Sequence, residues 1–170
     1  MNALTPISVG QKIILIVDDV EDNRILIDRA LKTSGFATMH AHSGREALSI
    51  ISNQVPHLVL LDWMMPELSG LETLRAIREM HPPSHLPVIM CSAIDEEMSV
   101  ATAINAGAND YMTKPISLPI LRARISAHLG QRAAIDTLNN EKVMAERKLG
   151  EQTRALFGSI GQGPNKADRH

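Results

Sequence analysis

Three short, unbroken apolar runs punctuate the chain: Lys12–Val17 (KIILIV), His57–Leu61 (HLVLL) and Pro87–Cys91 (PVIMC). A strand with one wet face would alternate apolar and polar residues, and these runs do not. They therefore predict parallel strands covered on both faces. Ala37–Ala41 is a weaker strand between the first two, and Asp110–Met112 supplies a short fifth. The intervening segments carry helical spacing. Glu21–Ser34 places Ile25, Leu26, Ala30 and Leu31 on one side, with Gly35 as its C-cap. Ser43 caps a helix through Asn53 that turns Ala47, Leu48 and Ile51 inward. Ser69–Met80 carries Leu71, Leu74 and Ile77, Glu96–Asn105 ends at Gly107, and Ser117 opens a final helix. A strand–helix pair repeated five times predicts a parallel α/β sheet with right-handed crossovers and helices on both faces.

The final helix is longer than a compact domain needs. Its domain part ends near His128, yet the helical pattern runs to about Leu156. Residues 121, 128, 135, 142, 149 and 156 are Leu, His, Ile, Lys, Leu and Leu, a seven-residue repeat with two polar interruptions. Leu138 and Ala145 add a second seam. A coiled coil and a solvated helical linker both fit this pattern. The organisation expected is an N-terminal segment 1–11, a domain 12–128, a helical extension 129–157 and a Gly-rich, polar, disordered tail 158–170.

Composition narrows the class. A hydrophobic share of 44% and a charged share of 21% over 170 residues suit a soluble globular domain plus an appendage. Aromatic residues make up only 2%, so the core must be aliphatic and methionine-rich. The net charge of −2 offers no broad basic surface for nucleic acid. No membrane span and no secretory leader are readable, and the single cysteine, Cys91, cannot form an internal disulfide. The expectation is a cytoplasmic protein. Cys91 reads as a small buried hydrophobe.

In an open parallel sheet, functional side chains gather at the carboxyl ends of the strands. Strand one ends in Asp18-Asp19, strand three in Asp62, strand four in Ser92 and strand five in Lys114-Pro115. Three carboxylates, a hydroxyl and an ammonium thus converge on one edge. Crowded carboxylates need a compensating charge, and oxygen ligands without His or Cys favour a hard cation, Mg²⁺ in a cell. Such a site suits phosphoryl transfer, with Asp62 as nucleophile, Lys114 pairing with the resulting anion and Ser92 donating a hydrogen bond to it.

The segments Ile14-Leu-Ile-Val-Asp18-Asp19, Leu58-Val-Leu-Leu-Asp62-Trp-Met-Met-Pro66, Cys91-Ser92-Ala93 and Asp110-Tyr-Met-Thr-Lys114-Pro115 resemble the signature set of bacterial two-component response-regulator receiver domains. The resemblance covers roughly Lys12 to His128. It implies a flavodoxin-like, doubly wound five-stranded sheet in order 2-1-3-4-5. It implies Asp62 as phosphoacceptor, charged by a histidine kinase or phosphotransfer protein. Asp19 and Asp62 would ligate Mg²⁺ directly, Asp18 mainly through water, and the Met64 backbone carbonyl would complete the protein ligands. Lys114 would contact the phosphoryl group, with a cis bond to Pro115. Ser92 and Tyr111 match the switch pair, the hydroxyl swinging to the phosphoryl oxygen and the ring turning into the vacated space.

Phosphorylation adds roughly −1.5 to −2 charge to one loop. A nearly complete shift between two states takes about 5.5 kcal/mol of differential interaction, which charge-assisted bonds to Ser92 and Lys114 would largely supply. The face that changes, built from the fourth and fifth helices and the fifth strand, leads into the final helix. Through that helix a homodimer or an output partner would be reached. The chain itself has no room for an output domain beyond Leu156, so it acts by protein contacts or as the sensory part of a longer protein. In the family it resembles, the positions two residues past the phosphoacceptor and the switch hydroxyl border the path of the hydrolytic water. Here they are Met64 and Ile94, apolar groups that cannot orient it, so the resemblance implies slow autodephosphorylation.

Two other classes stay open. An aspartyl phosphohydrolase of the dehalogenase type also uses a strand-terminal Asp, but needs a second acid where Met64 stands. A phosphorylation-independent dimerisation scaffold would keep the shape without the chemistry, against which the intact Asp18, Asp19, Asp62, Ser92 and Lys114 set argues. Ser92 as a helix cap, Tyr111 as sheet-edge packing and His128 as polar helix surface or an imperfect seam position are the plain structural readings of those residues.

Overall fold

Alternate residues of each strand go to opposite faces of the sheet, and both faces are covered. That is why the apolar runs do not alternate. The computed structural model describes residues 10–93 and 97–160, apart from the side chains of 97, 98 and 157–160. Its elements are β1 (Ile13–Val17), α1 (Glu21–Thr33), β2 (Ala37–Ala41), α2 (Gly44–Asn53), β3 (Leu58–Asp62), α3 (Gly70–Met80), β4 (Val88–Ser92), α4 (Glu97–Asn105), β5 (Asp110–Thr113) and α5 (Leu118–Ile160). The sheet is parallel in order β2-β1-β3-β4-β5, as expected of the doubly wound class.

On one face Leu15, Val17, Val59, Leu61, Val88 and Met90 pack with Ala47 and Ile51 of α2, Leu74 and Ile77 of α3 and Ala103 of α4. On the other, Ile14, Ile16, Leu58, Leu60 and Ile89 meet Ile27 and Leu31 of α1 and Leu121, Ile125 and Leu129 of α5. Each fully buried Leu or Ile contributes about 1.5–3 kcal/mol of transfer free energy, so this two-sided core dominates the stability.

Helix ends follow their sequence signals. Phe36 N–H bonds to the Leu31 carbonyl and Gly35 N–H to that of Lys32, with Gly35 at φ 86°: a Schellman C-cap. Gly107, at φ 97°, closes α4 with the same pair of bonds to Ala103 and Ile104. Ser69 and Glu72 form a reciprocal capping box at the start of α3.

Three sequence expectations need correction. Of the α1 residues placed inward, Ile25 and Leu26 are exposed, and the core positions are Ile27 and Leu31. The helix is turned so that Asn23 and Arg24 face the end of β1, which rotates Ile25 and Leu26 outward. Second, the helix expected to stop near Leu156 runs to Ile160. The remainder of the expected tail, like most of the N-terminal segment, lies outside the described residues. Third, Leu121, counted in the seven-residue repeat, is fully buried in the domain core, and His128 bonds to Asp110 (3.2 Å) instead of lying free on the helix surface.

The chain divides into two compact units, 1–132 and 133–170. In the first, Arg132 donates to the carbonyls of His57 (2.9 Å) and Pro56 (3.3 Å). In the second, Leu138, Val143, Met144, Leu149 and Leu156 are exposed along the helix.

Candidate functional site

The strands deliver their last residues to one edge. Asp62 is the final residue of β3 and Ser92 the final residue of β4, while Asp18 and Asp19 follow β1 directly. Asp18 and Asp62 are buried and Asp19 is exposed. Carboxylate oxygens of all three lie within 4.8 Å of one another. At that separation each like-charged pair repels by about 3 kcal/mol for an effective dielectric near 20, so the cluster needs cations.

The chain brings one cation onto the carboxylates themselves. Lys114 Nζ sits 2.8 Å from Asp18 Oδ2 and 2.9 Å from Asp62 Oδ2, bridging the two buried acids. Burial works to lower the Lys114 pKa, but the hydrogen bonds and charges of Asp18 and Asp62 outweigh it and hold the ammonium above its usual value. Burial pushes the Asp62 carboxyl up, helped by the charge of Asp18, and the bonds from Lys114 and Met64 N–H only partly oppose this. Three carboxylates against the one ammonium that bonds to them leave two formal negative charges on the cluster, with the Arg24 guanidinium held on the Asp18 main-chain carbonyl beside it. An oxygen-only donor set with that deficit fits a hard divalent cation such as Mg²⁺.

The surrounding backbone is held by its own bonds. Trp63 N–H bonds to the Cys91 carbonyl and Lys114 N–H to that of Ser92, tying β3 to β4 and β4 to the lysine loop. Gly70 N–H returns to the Trp63 carbonyl, and a Cβ on Gly70 would lie 2.0 Å from the Asp62 carbonyl oxygen. In between, Leu68 N–H reaches Pro66 across Glu67, a non-glycine residue at φ 66°. The Lys114–Pro115 bond is cis.

The sequence-derived candidates fall as follows. Asp18, Asp19, Asp62 and Lys114 meet in one pocket. Ser92 is fully buried at the same strand edge. Tyr111 is buried too, its ring edge-on to Trp63 at 6.3 Å. Met64 is 59% exposed, and its N–H meets Asp62 Oδ1 at 3.4 Å. Ile94 lies outside the described residues. Cys91 is buried, its thiol pushed up to about 12 by that burial, which makes it inert as a nucleophile.

Two contacts were missed from sequence. Asn23 Nδ2 is 3.1 Å from both oxygens of Asp18, and Arg24 donates to the Asp18 carbonyl (2.6 Å). A signal for Asn23 did exist. It precedes Ile27 and Leu31 by steps of four, so the buried stripe of α1 begins with this amide.

A family profile described as the response regulator receiver domain matches residues 14–126. The phosphate regulon transcriptional regulatory protein PhoB of Pseudomonas aeruginosa is 39% identical over 118 residues, covering 69% of this chain and 52% of that protein. A probable cyclic di-GMP phosphodiesterase of Vibrio cholerae is 35% identical over 149 residues, covering 85% of this chain and 34% of its own length. This chain thus spans about half or less of these two relatives. Among solved structures, a CheY-like receiver domain protein from Methanospirillum hungatei superposes with TM-score 0.69 at 27% identity, over 74% of this chain and 98% of that one.

Proposed function

Because this chain belongs to the response regulator receiver domain family, we propose that Asp62 is its phosphoacceptor and that residues 12–128 work as the receiver of a two-component phosphorelay. The observation that carries the reading is the bridged pocket: three carboxylates within 4.8 Å, two of them joined by Lys114. Asp19, Asp62 and the Met64 carbonyl would hold Mg²⁺, with Asp18 acting through water. The ion would neutralise charge on the phosphoryl oxygens.

Asp62 attacks phosphorus from the end of a rigid buried strand, which fixes its direction. Lys114 then trades one carboxylate for the new phosphoryl group, and Ser92 donates to another of its oxygens. Ser92 and Tyr111 are the switch pair, biasing the α4-β5-α5 face between two packings. The donor is a histidine kinase or phosphotransfer protein. Val20 and Met64, exposed two residues past Asp18 and Asp62, give it apolar contact area. The apolar Met64 side chain favours slow autodephosphorylation, and an acyl phosphate decaying within seconds would contradict that.

The helical extension is the output limb, joining two copies into a dimer or passing the signal to a protein partner or following domain in the cytoplasm. The relative described as a probable cyclic di-GMP phosphodiesterase matches over 85% of this chain, which makes such an enzyme one class of output. Incubation with acetyl phosphate and Mg²⁺ tests the core of the proposal. Intact mass should rise by one phosphoryl group in the wild type and not in Asp62→Asn. Equal labelling of both would refute it, and turnover of small phosphate esters would favour a hydrolase instead.

A further inference from the structure

One side chain in the pocket has no part in this scheme. The Asn23 amide nitrogen lies 3.1 Å from Oδ1 and 3.1 Å from Oδ2 of Asp18. Asp18 Oδ1 also accepts Val20 N–H (2.9 Å), and Oδ2 accepts Lys114 Nζ (2.8 Å). A carboxylate has about four lone-pair sites, and these four contacts engage them. Asp62 is bound differently: Oδ2 takes Lys114 at 2.9 Å, while Oδ1 meets only the long Met64 N–H contact among the described bonds. The two buried acids are therefore unequal as ligands.

We infer that Asn23 is a positioning residue that sets the coordination number of the pocket and thereby its choice of cation. With Asp18 held by the amide, a cation takes direct protein ligands from fewer carboxylates and keeps more of its waters. That suits Mg²⁺, which demands six ligands in tight octahedral geometry and sheds water reluctantly. It disfavours Ca²⁺, which collects 6–8 oxygens and accepts bidentate carboxylates. Asn23 is well fixed for this task. It heads the stripe continued by the buried Ile27 and Leu31, and its neighbour Arg24 grips the Asp18 carbonyl at 2.6 Å. The inference rests on the metal-pocket reading above.

The test is titration of the full chain with Mg²⁺ alone and with Ca²⁺ alone, by calorimetry and by fluorescence of Trp63, the single tryptophan, adjacent to Asp62. Asn23→Ala should release Asp18 for direct ligation and raise Ca²⁺ affinity relative to Mg²⁺ by about tenfold. Asn23→Leu, which removes the donor while keeping the volume, should do the same. Melting in EDTA verifies that each variant is folded. An affinity ratio unchanged from wild type in both variants overturns the inference, even if both affinities fall together. A wild type that binds neither ion overturns the metal-pocket reading, and this inference with it.

Discussion

At the scale of single residues the site trades stability for chemistry. The Asp62 carboxyl is raised above its usual 3.8 by burial first and by Asp18 second, with Lys114 opposing. A raised acid destabilises the fold at neutral pH, and the cost is relieved as pH falls through the raised value. Asp62→Asn should therefore melt a few degrees higher than wild type when both are free of metal. A lower melting temperature in differential scanning calorimetry would show that the Lys114 bond outweighs the burial. His57 works in the opposite direction. Its Nδ1 accepts Ile13 N–H at 3.0 Å, so it must stay neutral, and burial, then Lys12 and Arg132, lower its pKa below 6.5. Such a histidine stabilises fully above its unfolded value near 6.5 and loses that contribution as pH drops toward its folded value. Denaturant midpoints at about pH 7.5 and about pH 5.5 should differ more in wild type than in His57→Asn, whose side-chain oxygen can still accept the bond. Equal differences would remove His57 as a source of acid sensitivity.

Elements explain why the pocket has its shape. The β3–α3 loop passes so close to Gly70 that a methyl group there would sit 2.0 Å from the Asp62 carbonyl oxygen and 2.8 Å from Trp63 Cα. Both obstacles are backbone and cannot swing away. Gly70→Ala should cost at least about 2 kcal/mol of stability, and Mg²⁺ affinity should fall with it because the displaced strand end carries Asp62. An unchanged unfolding midpoint would mean that the loop has room to yield. This tightness was not legible in the sequence, where Gly70 is one more residue of the helical segment Ser69–Met80. The sheet was legible, because both-faced burial writes itself as unbroken apolar runs. The acids and Lys114 were legible because topology alone brings strand ends to one edge. The rotation of α1 was not, since Ile25 and Leu26 compete with Ile27 for the core on hydrophobicity. What decides between them is polar: only with Ile27 and Leu31 inside do Asn23 and Arg24 reach Asp18.

The whole molecule pairs a well-packed unit, 1–132, with a second unit, 133–170, whose helix exposes Leu138, Leu149 and Leu156 at 64–66%. An isolated helix in water gains little from backbone bonds alone and is stabilised mainly by packing an apolar face. With Leu121 in the core and His128 bonded to Asp110, the seven-residue repeat available for pairing begins at Ile135. It runs through Leu138, Lys142, Ala145, Leu149, Gln152 and Leu156, one apolar seam broken at Lys142 and Gln152. A polar residue at such a seam position costs stability while fixing register. If a second copy covers this seam, the full chain dimerises and a chain ending at Arg132 is monomeric yet still accepts phosphate on Asp62. Leu149→Asp should abolish the dimer. Lys142→Leu should strengthen it several-fold, because an ammonium no longer needs to be desolvated between leucines. Sedimentation velocity over a concentration series separates these cases. A full chain that stays monomeric at its highest attainable concentration, with Lys142→Leu equally monomeric, would hand the seam to a different protein.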